Sequence, residues 1–264
     1  MKQFRKICIA LWVCVVMNQL YADEGMWVLK ELNAENMARM KELGFLSPFE
    51  HLFSDSDPCV ANAVVIFGGG CTGITVSEKG LVFTNHHCGY GALQRLSSVE
   101  HDYLKDGFVS QSLEEELPVP GLNVRYLKET VDVSDRILMQ IASIEEEYMR
   151  IMAADSIGKA ICAEIETNEF QTATVVPFYN RNKYYLVIYQ IYRDVRLVFS
   201  PPSSVGKFGG DTDNWMWPRQ TGDFTAFRVY AGADNQPAEY ASTNRPYTPK
   251  FVAEVSIRGY DNND

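Results

Sequence analysis

The sequence predicts a mainly β fold with helical insertions, organised as an antiparallel barrel or sandwich. Short apolar segments joined by tight turns indicate the strands: Ala63–Phe67, Ile74–Val76 and Leu81–Thr84 are separated by a glycine-dense turn and by Ser77–Gly80. Apolar residues at helical spacing over about 132–168 interrupt this β pattern. The chain has 264 residues, 46% hydrophobic and 22% charged, which excludes a disordered or collagen-like chain.

The remaining elements follow from the same two periodicities. Residues 25–45 have helical spacing that stops at Gly44, and Ser54–Pro58 has the composition of a loop. Further along the chain, apolar segments of strand length predict four more strands, two of them joined by a hairpin turn at Asn180–Asn182: Thr172–Phe178, Tyr184–Tyr192, Phe224–Tyr230 and Phe251–Ile257.

The first residues have the composition of a secretory signal peptide. A basic start precedes the apolar run Ile7–Met17, and the small residue Ala22 stands before two acidic residues. The run is shorter than the roughly 20 residues of a membrane-spanning helix. We therefore predict a signal peptide over 1–22, cleaved after Ala22, and an exported chain over 23–264 in the periplasm or at the cell surface. A signal anchor or lipoprotein tether is the alternative.

Charge and cysteine content narrow the classes of partner. The formal net charge is −10, which argues against nucleic acid because phosphate binding needs a basic face. No later segment is long and apolar enough to predict a membrane span. After signal removal four cysteines remain, and an oxidising compartment lets them pair in three ways that spacing does not distinguish: Cys59, Cys71, Cys88 and Cys162.

The segment Thr84–Gly89 carries two adjacent histidines beside a cysteine at the end of a predicted strand. Zinc binding is one interpretation, but His51 and His101 stand in unrelated contexts, so we expect no metal and no cofactor. A structural histidine bonded to the backbone is the second interpretation. The third is a catalytic base, which needs an imidazole on a rigid strand end with a carboxylate on its far nitrogen.

The stretch Gly69–Cys88 favours the third interpretation, because it resembles the first-barrel signature of chymotrypsin-like serine peptidases. The resemblance implies that His87 is the catalytic histidine and that His86 occupies a spacer position. It also implies a disulfide between Cys71 and Cys88. Because side chains alternate along a strand, we expect only one of the two histidines to face the catalytic acid.

Asp223 is the residue that the resemblance matches to that acid, since it directly precedes the apolar strand Phe224–Tyr230. Asp211 and Asp213 are rivals within the same Asp-, Gly- and Trp-rich segment. Calcium binding or turn capping would explain those two equally well.

Most of the exported chain is also similar to a narrower family, the bacterial dipeptidyl-peptidases of the 7 and 11 type. That resemblance implies a double β-barrel capped by a helical domain, and release of dipeptides from peptides with free N-termini. It implies that Asn214 and Trp215 help to hold the substrate amine. Gln220 departs from the family, where histidine is common. A homodimer of the full-length enzyme is compatible with this family.

The family's nucleophilic serine, in a Gly-Asn-Ser-Gly-Ser-like turn of the second barrel, has no match here. Ser204 is nearest in pattern but has the wrong flanking residues. We therefore interpret the chain as the N-terminal part of a longer enzyme, with the second barrel and helical cap absent and the fragment inactive alone. The alternatives are a chymotrypsin- or trypsin-like endopeptidase, and an inactive peptide-binding barrel.

Overall fold

The computed structural model describes residues 28–32, 34–165, 168–207 and 221–259. Several predictions lie outside these residues: the signal peptide, Asp211 and Asp213, Asn214 and Trp215, and Gln220. The chain divides into two compact units, Met1–Leu46 and Ser47–Asp264. In the described part of the first unit, the predicted helix consists of a 3-10 turn, Leu29–Glu31, followed by helix α1, Ala34–Glu42.

The second unit is dominated by one large sheet whose described strand pairs are all antiparallel, in the order β4-β9-β10-β3-β2-β1-β6-β8-β7, with β5 on β9 and β11 on β10. The strands are β1 Val64–Phe67, β2 Cys71–Thr75, β3 Leu81–Thr84, β4 Phe108–Val109, β5 Leu117–Pro118, β6 Val124–Asp132, β7 Gln171–Phe178, β8 Lys183–Tyr192, β9 Asp194–Ser200, β10 Thr225–Ala231 and β11 Arg245–Pro246.

Several helices accompany this sheet, so the fold is mixed α/β. They are α2 Phe49–Leu52, α3 His86–Leu96, α4 Tyr103–Asp106, α5 Ser134–Ile141, α6 Glu147–Ile165 and α7 Ser203–Gly206, with 3-10 turns at Val60–Asn62 and Leu113–Glu115. The predicted helical insertion is confirmed as the pair α5 and α6. Among the described helices, none combines the length and apolar character that a membrane crossing requires.

Two sequence predictions about secondary structure need correction. The predicted strand Phe251–Ile257 is not a strand, because the segment pairs with no described strand of the sheet, and Ile257 is almost fully exposed. The histidine segment, treated as strand-like, instead begins helix α3. Both errors have the same physical origin. A short segment has only a weak local preference for strand or helix, and strand pairing and helix capping decide which of them forms.

The core consists of two clusters of buried apolar residues. The larger lies between the sheet strands and α3, and includes the tilted pair Phe67 and Phe227 with ring centroids 4.8 Å apart. The smaller lies under α5 and α6 and is centred on Ile137 and Ile161. The larger cluster holds β3 and β10 side by side. The predicted catalytic residues lie at the ends of these two strands, His87 shortly after β3 and Asp223 shortly before β10.

A buried polar network fixes β10 in the sheet. Glu116 is 4% exposed, and it accepts hydrogen bonds from Arg228 Nε at 2.8 Å and from the Tyr230 hydroxyl at 2.7 Å. Arg228 stands directly opposite Arg196 on β9, and Arg196 is paired with the buried Asp194. Each arginine thus has its own carboxylate, which permits two like charges to face each other across neighbouring strands.

We predict that Glu116→Ala lowers the free energy of unfolding by about 3–5 kcal/mol, because it leaves the largely buried charge of Arg228 without its carboxylate partner. Denaturant titration measures this loss. Glu114→Ala is the matched control, since Glu114 is exposed and should change stability by no more than about 0.5 kcal/mol. Equal stability of the two variants would contradict the role of the network.

Candidate active site

The site forms where strand β3 runs into helix α3. β3 ends at Thr84, Asn85 takes an extended conformation, and α3 begins at His86. Thr84 pairs with Thr225 of β10, so the residues just before β10 lie beside the start of α3. This pairing brings Asp223 next to the two histidines although more than 130 positions separate them in the chain.

His87 and Asp223 form the central contact of the site. His87 Nδ1 lies 3.2 Å from Asp223 Oδ2, and the His87 backbone N–H donates to Oδ1 at 3.3 Å. The Asn85 side-chain amide donates to Oδ2 at 3.1 Å. The carboxylate therefore caps the N-terminus of α3, where backbone donors and the helix dipole favour negative charge, and it binds the imidazole at the same time.

The electrostatics favour an ionised Asp223. Partial burial by itself raises the pKa of Asp223, but the hydrogen bonds from the His87 backbone, the Asn85 amide and the His87 ring outweigh it and hold the pKa below its ordinary value. An ionised carboxylate accepts a hydrogen bond from Nδ1–H, and in that tautomer Nε2 carries a lone pair. The His87 side chain is 66% exposed, so most of the ring is accessible from solvent.

His86 occupies a different environment. Its side chain is fully buried, with Nδ1 3.3 Å from Ser200 Oγ and Nε2 3.3 Å from Ser203 Oγ. The two histidines diverge as expected, but the strand-alternation argument is wrong. As the first two residues of α3 they differ by about 100° around the helix axis, which sends one ring inward and the other outward.

The predicted disulfide between Cys71 and Cys88 is confirmed, with their Cα atoms 6.1 Å apart. It links the first turn of α3, at the residue directly after His87, to the first residue of β2. Both sulfurs and one ring nitrogen of His87 lie within 4.8 Å of one another. Sulfurs joined in a disulfide are not thiolates, so in the oxidised protein this cluster lacks the ligands that zinc requires.

A short helix supports the segment that carries Asp223. The Val205 carbonyl of α7 accepts from the Gly222 N–H at 3.0 Å and from the Thr221 hydroxyl at 2.9 Å. Sequence reasoning identified neither this support nor Asn85. The preference of asparagine for the position before a helix is the signal that could have found Asn85.

Comparison with known proteins decides the family. A family model described as Peptidase S46 matches residues 22–264. The chain belongs to the Peptidase S46 family. Among its S46 relatives, dipeptidyl-peptidase 7 of Porphyromonas gingivalis is 58% identical over 243 residues, covering 92% of this chain and 34% of the relative. The Asp/Glu-specific dipeptidyl-peptidase of Porphyromonas endodontalis is 42% identical, covering all of this chain and 37% of the relative.

A solved S46 structure has the same fold. The crystal structure of Porphyromonas endodontalis DPP11 in complex with the dipeptide Arg-Glu superposes with a TM-score of 0.83 at 43% identity, covering 92% of this chain and 36% of that one. The chain thus spans about a third of the length of the curated S46 relatives that it matches.

The buried His86 predicts a specific pH dependence of stability. Burial lowers its pKa, the Asp223 charge partly opposes this, and His87 lowers it further. Below the ordinary histidine pKa of about 6.5, the unfolded state therefore binds more protons than the folded state. The free energy of unfolding should fall as pH drops from about 6.5 through the lower folded-state pKa.

Denaturant titrations across this pH range check the effect in wild type and His86→Gln, which should lack this part of the slope. His51→Gln is the control, because His51 is exposed and the variant keeps His86. A slope that survives in His86→Gln and disappears in His51→Gln would refute the assignment.

Proposed function

We propose that the chain is the N-terminal part of an exported serine dipeptidyl-peptidase, and that it supplies the histidine and aspartate of a His-Asp-Ser triad. The observation that carries the proposal is the His87–Asp223 pair, with Nδ1 bound and the ring exposed, in a chain 58% identical to a dipeptidyl-peptidase 7. The large antiparallel sheet would be the first barrel of a double β-barrel. The second barrel, the nucleophilic serine and the helical cap would belong to the two thirds of its relatives that this chain does not span.

In the proposed mechanism His87 acts first as general base and then as general acid. Nε2 takes the proton of the serine hydroxyl as its oxygen attacks the scissile carbonyl. It then gives that proton to the departing amine, and the acyl-enzyme is hydrolysed by water through the same nitrogen. Asp223 holds the ring tautomer and stabilises the imidazolium that forms, without taking the proton itself.

The substrates of this enzyme would be peptides with a free N-terminus, with Asn214 and Trp215 binding the α-amine. An asparagine oxygen can accept from an ammonium group, and an indole face attracts a cation by about 0.5–2 kcal/mol. Both dipeptidyl-peptidase 7 and Asp/Glu-specific enzymes are among the relatives. The proposal therefore leaves the preferred side chain before the cleaved bond open.

Export to the periplasm or cell surface is part of the same proposal. The Cys71–Cys88 disulfide supports it, because disulfides persist in oxidising compartments and are rare in the cytosol. The family match also begins at residue 22, beside the expected cleavage site after Ala22.

We predict that Asp223→Asn lowers kcat for dipeptide release by about 10⁴-fold in the full-length protein that contains this chain, since the amide stabilises the wrong ring tautomer. His87→Gln should lose activity to a similar or greater extent. Chromogenic dipeptides with free and with acetylated N-termini provide the assay. Asp135→Asn and His51→Gln are matched controls at exposed positions. Full activity of Asp223→Asn would refute the triad, and preferential cleavage of acetylated peptides would identify an endopeptidase.

A second prediction concerns the amine site. Asn214→Ala should raise KM for free-amine dipeptides by about tenfold with little change in kcat, because it removes an acceptor for the substrate ammonium. A substrate whose α-amine is replaced by hydrogen is the matched control and should lose nothing further. An unchanged KM for the free-amine substrate, or a loss that unfolding fully explains, would instead assign Asn214 and Trp215 to packing.

A further inference from the structure

His86 is a buried titratable group beside the reacting pair that the proposed mechanism does not use. Its side chain is fully buried, whereas that of the adjacent His87 is mostly exposed. Burial of an imidazole has a cost in free energy unless both ring nitrogens find partners. The arrangement of those partners indicates what His86 does.

Three hydroxyls from three separate elements surround the ring. Ser200 at the end of β9 and Thr225 at the start of β10 face Nδ1 at 3.3 and 3.5 Å, and Ser203 at the start of α7 faces Nε2 at 3.3 Å. The Ser200 hydroxyl donates to the Pro201 carbonyl, so it accepts from His86 Nδ1–H. Nε2 is then the acceptor for the Ser203 hydroxyl.

The ring face packs directly on the backbone of α7. A Cβ atom built on Gly206 would lie 2.5 Å from His86 Cγ and 2.7 Å from Nδ1, far inside any real contact. Only glycine permits this approach. The ring therefore fixes α7 both by a hydrogen bond at Ser203 and by close packing at Gly206.

Hydrogen bonds connect α7 to the segment that carries the Asp223 carboxylate. The Gly206 carbonyl accepts from the Thr221 hydroxyl at 3.1 Å, in addition to the bonds that Val205 makes to Thr221 and Gly222. Asp223 is the next residue, and it returns to α3 through its bonds to His87. A continuous series of contacts thus connects His86 through α7 to Asp223, and Asp223 in turn contacts His87, the neighbour of His86.

We propose that His86 is a positioning residue, which holds α7 and the ends of β9 and β10 so that Asp223 stays aligned with His87. The proposal rests on the proposed function, because alignment matters for catalysis only if His87 is the base. The neutral imidazole of His86 suits this task, since its one donor and its one acceptor match hydroxyls on opposite sides of the ring. The charged or titratable groups beside it are Asp223 and His87.

Ser203→Ala tests the proposal with little risk to folding, because Ser203 is only partly buried and the variant removes one hydrogen bond to His86. Ser204→Ala is the matched control on the exposed side of α7. His86→Phe is the stronger variant, which keeps a ring against Gly206 and removes both polar nitrogens. In the full-length enzyme we expect kcat to fall severalfold in Ser203→Ala and at least about tenfold in His86→Phe, with KM unchanged within about twofold.

A second readout does not depend on activity. Partial burial raises the pKa of Asp223, and the bonds from His87 and Asn85 lower it further than burial raises it. Misalignment lengthens those bonds, so carboxyl NMR titration should show a higher Asp223 pKa in Ser203→Ala and His86→Phe than in Ser204→Ala. If the enzyme releases no dipeptides yet the pKa rises, the proposed function fails and the positioning role stands.

Two results would overturn the positioning role. One is an Asp223 pKa that is the same in Ser203→Ala, Ser204→Ala and folded His86→Phe. The other is a loss of kcat that appears equally in Ser204→Ala, or that follows the folded fraction measured by thermal melting in each variant.

Discussion

The hydrogen bonds that Asp223 accepts from the start of α3 are the interaction on which the whole site depends. One carboxylate caps the helix through the His87 backbone and binds the His87 ring through its second oxygen. The two tasks reinforce each other, because a donor at a helix N-terminus stabilises the charge that the imidazole needs. Strand pairing of β3 with β10, and the disulfide behind His87, make this arrangement part of the core structure.

The adjacent histidines lie in opposite environments. His86 is buried among hydroxyls that suit a neutral ring, and His87 is exposed with one nitrogen held by a carboxylate. One residue step along the helix achieves this separation, since consecutive residues of α3 point about 100° apart. The buried ring is thereby enclosed by hydroxyls, whereas the other ring stays largely open to solvent.

Much of this arrangement could be predicted from the sequence, and the omissions have physical reasons. The hairpin of β7 and β8 and the helical insertion follow from local periodicity, which acts over a few residues. The pairing of Cys71 with Cys88 came from a family resemblance, because spacing alone left three pairings open. The support of Asp223 by α7 could not be predicted, since it depends on hydrogen bonds between segments that share no sequence pattern. The strand predicted at Phe251–Ile257 failed because an apolar run forms a strand only where an edge accepts it.

The central claim is that His87 Nε2 is the base for a serine that the rest of the enzyme supplies. A crystal structure of the full-length protein with a dipeptide bound tests it most directly. The account predicts a serine hydroxyl from beyond residue 264 within about 3.2 Å of His87 Nε2, with Nδ1 still on Asp223. A structure in which that nitrogen faces no serine, or in which His86 takes its place, would contradict it.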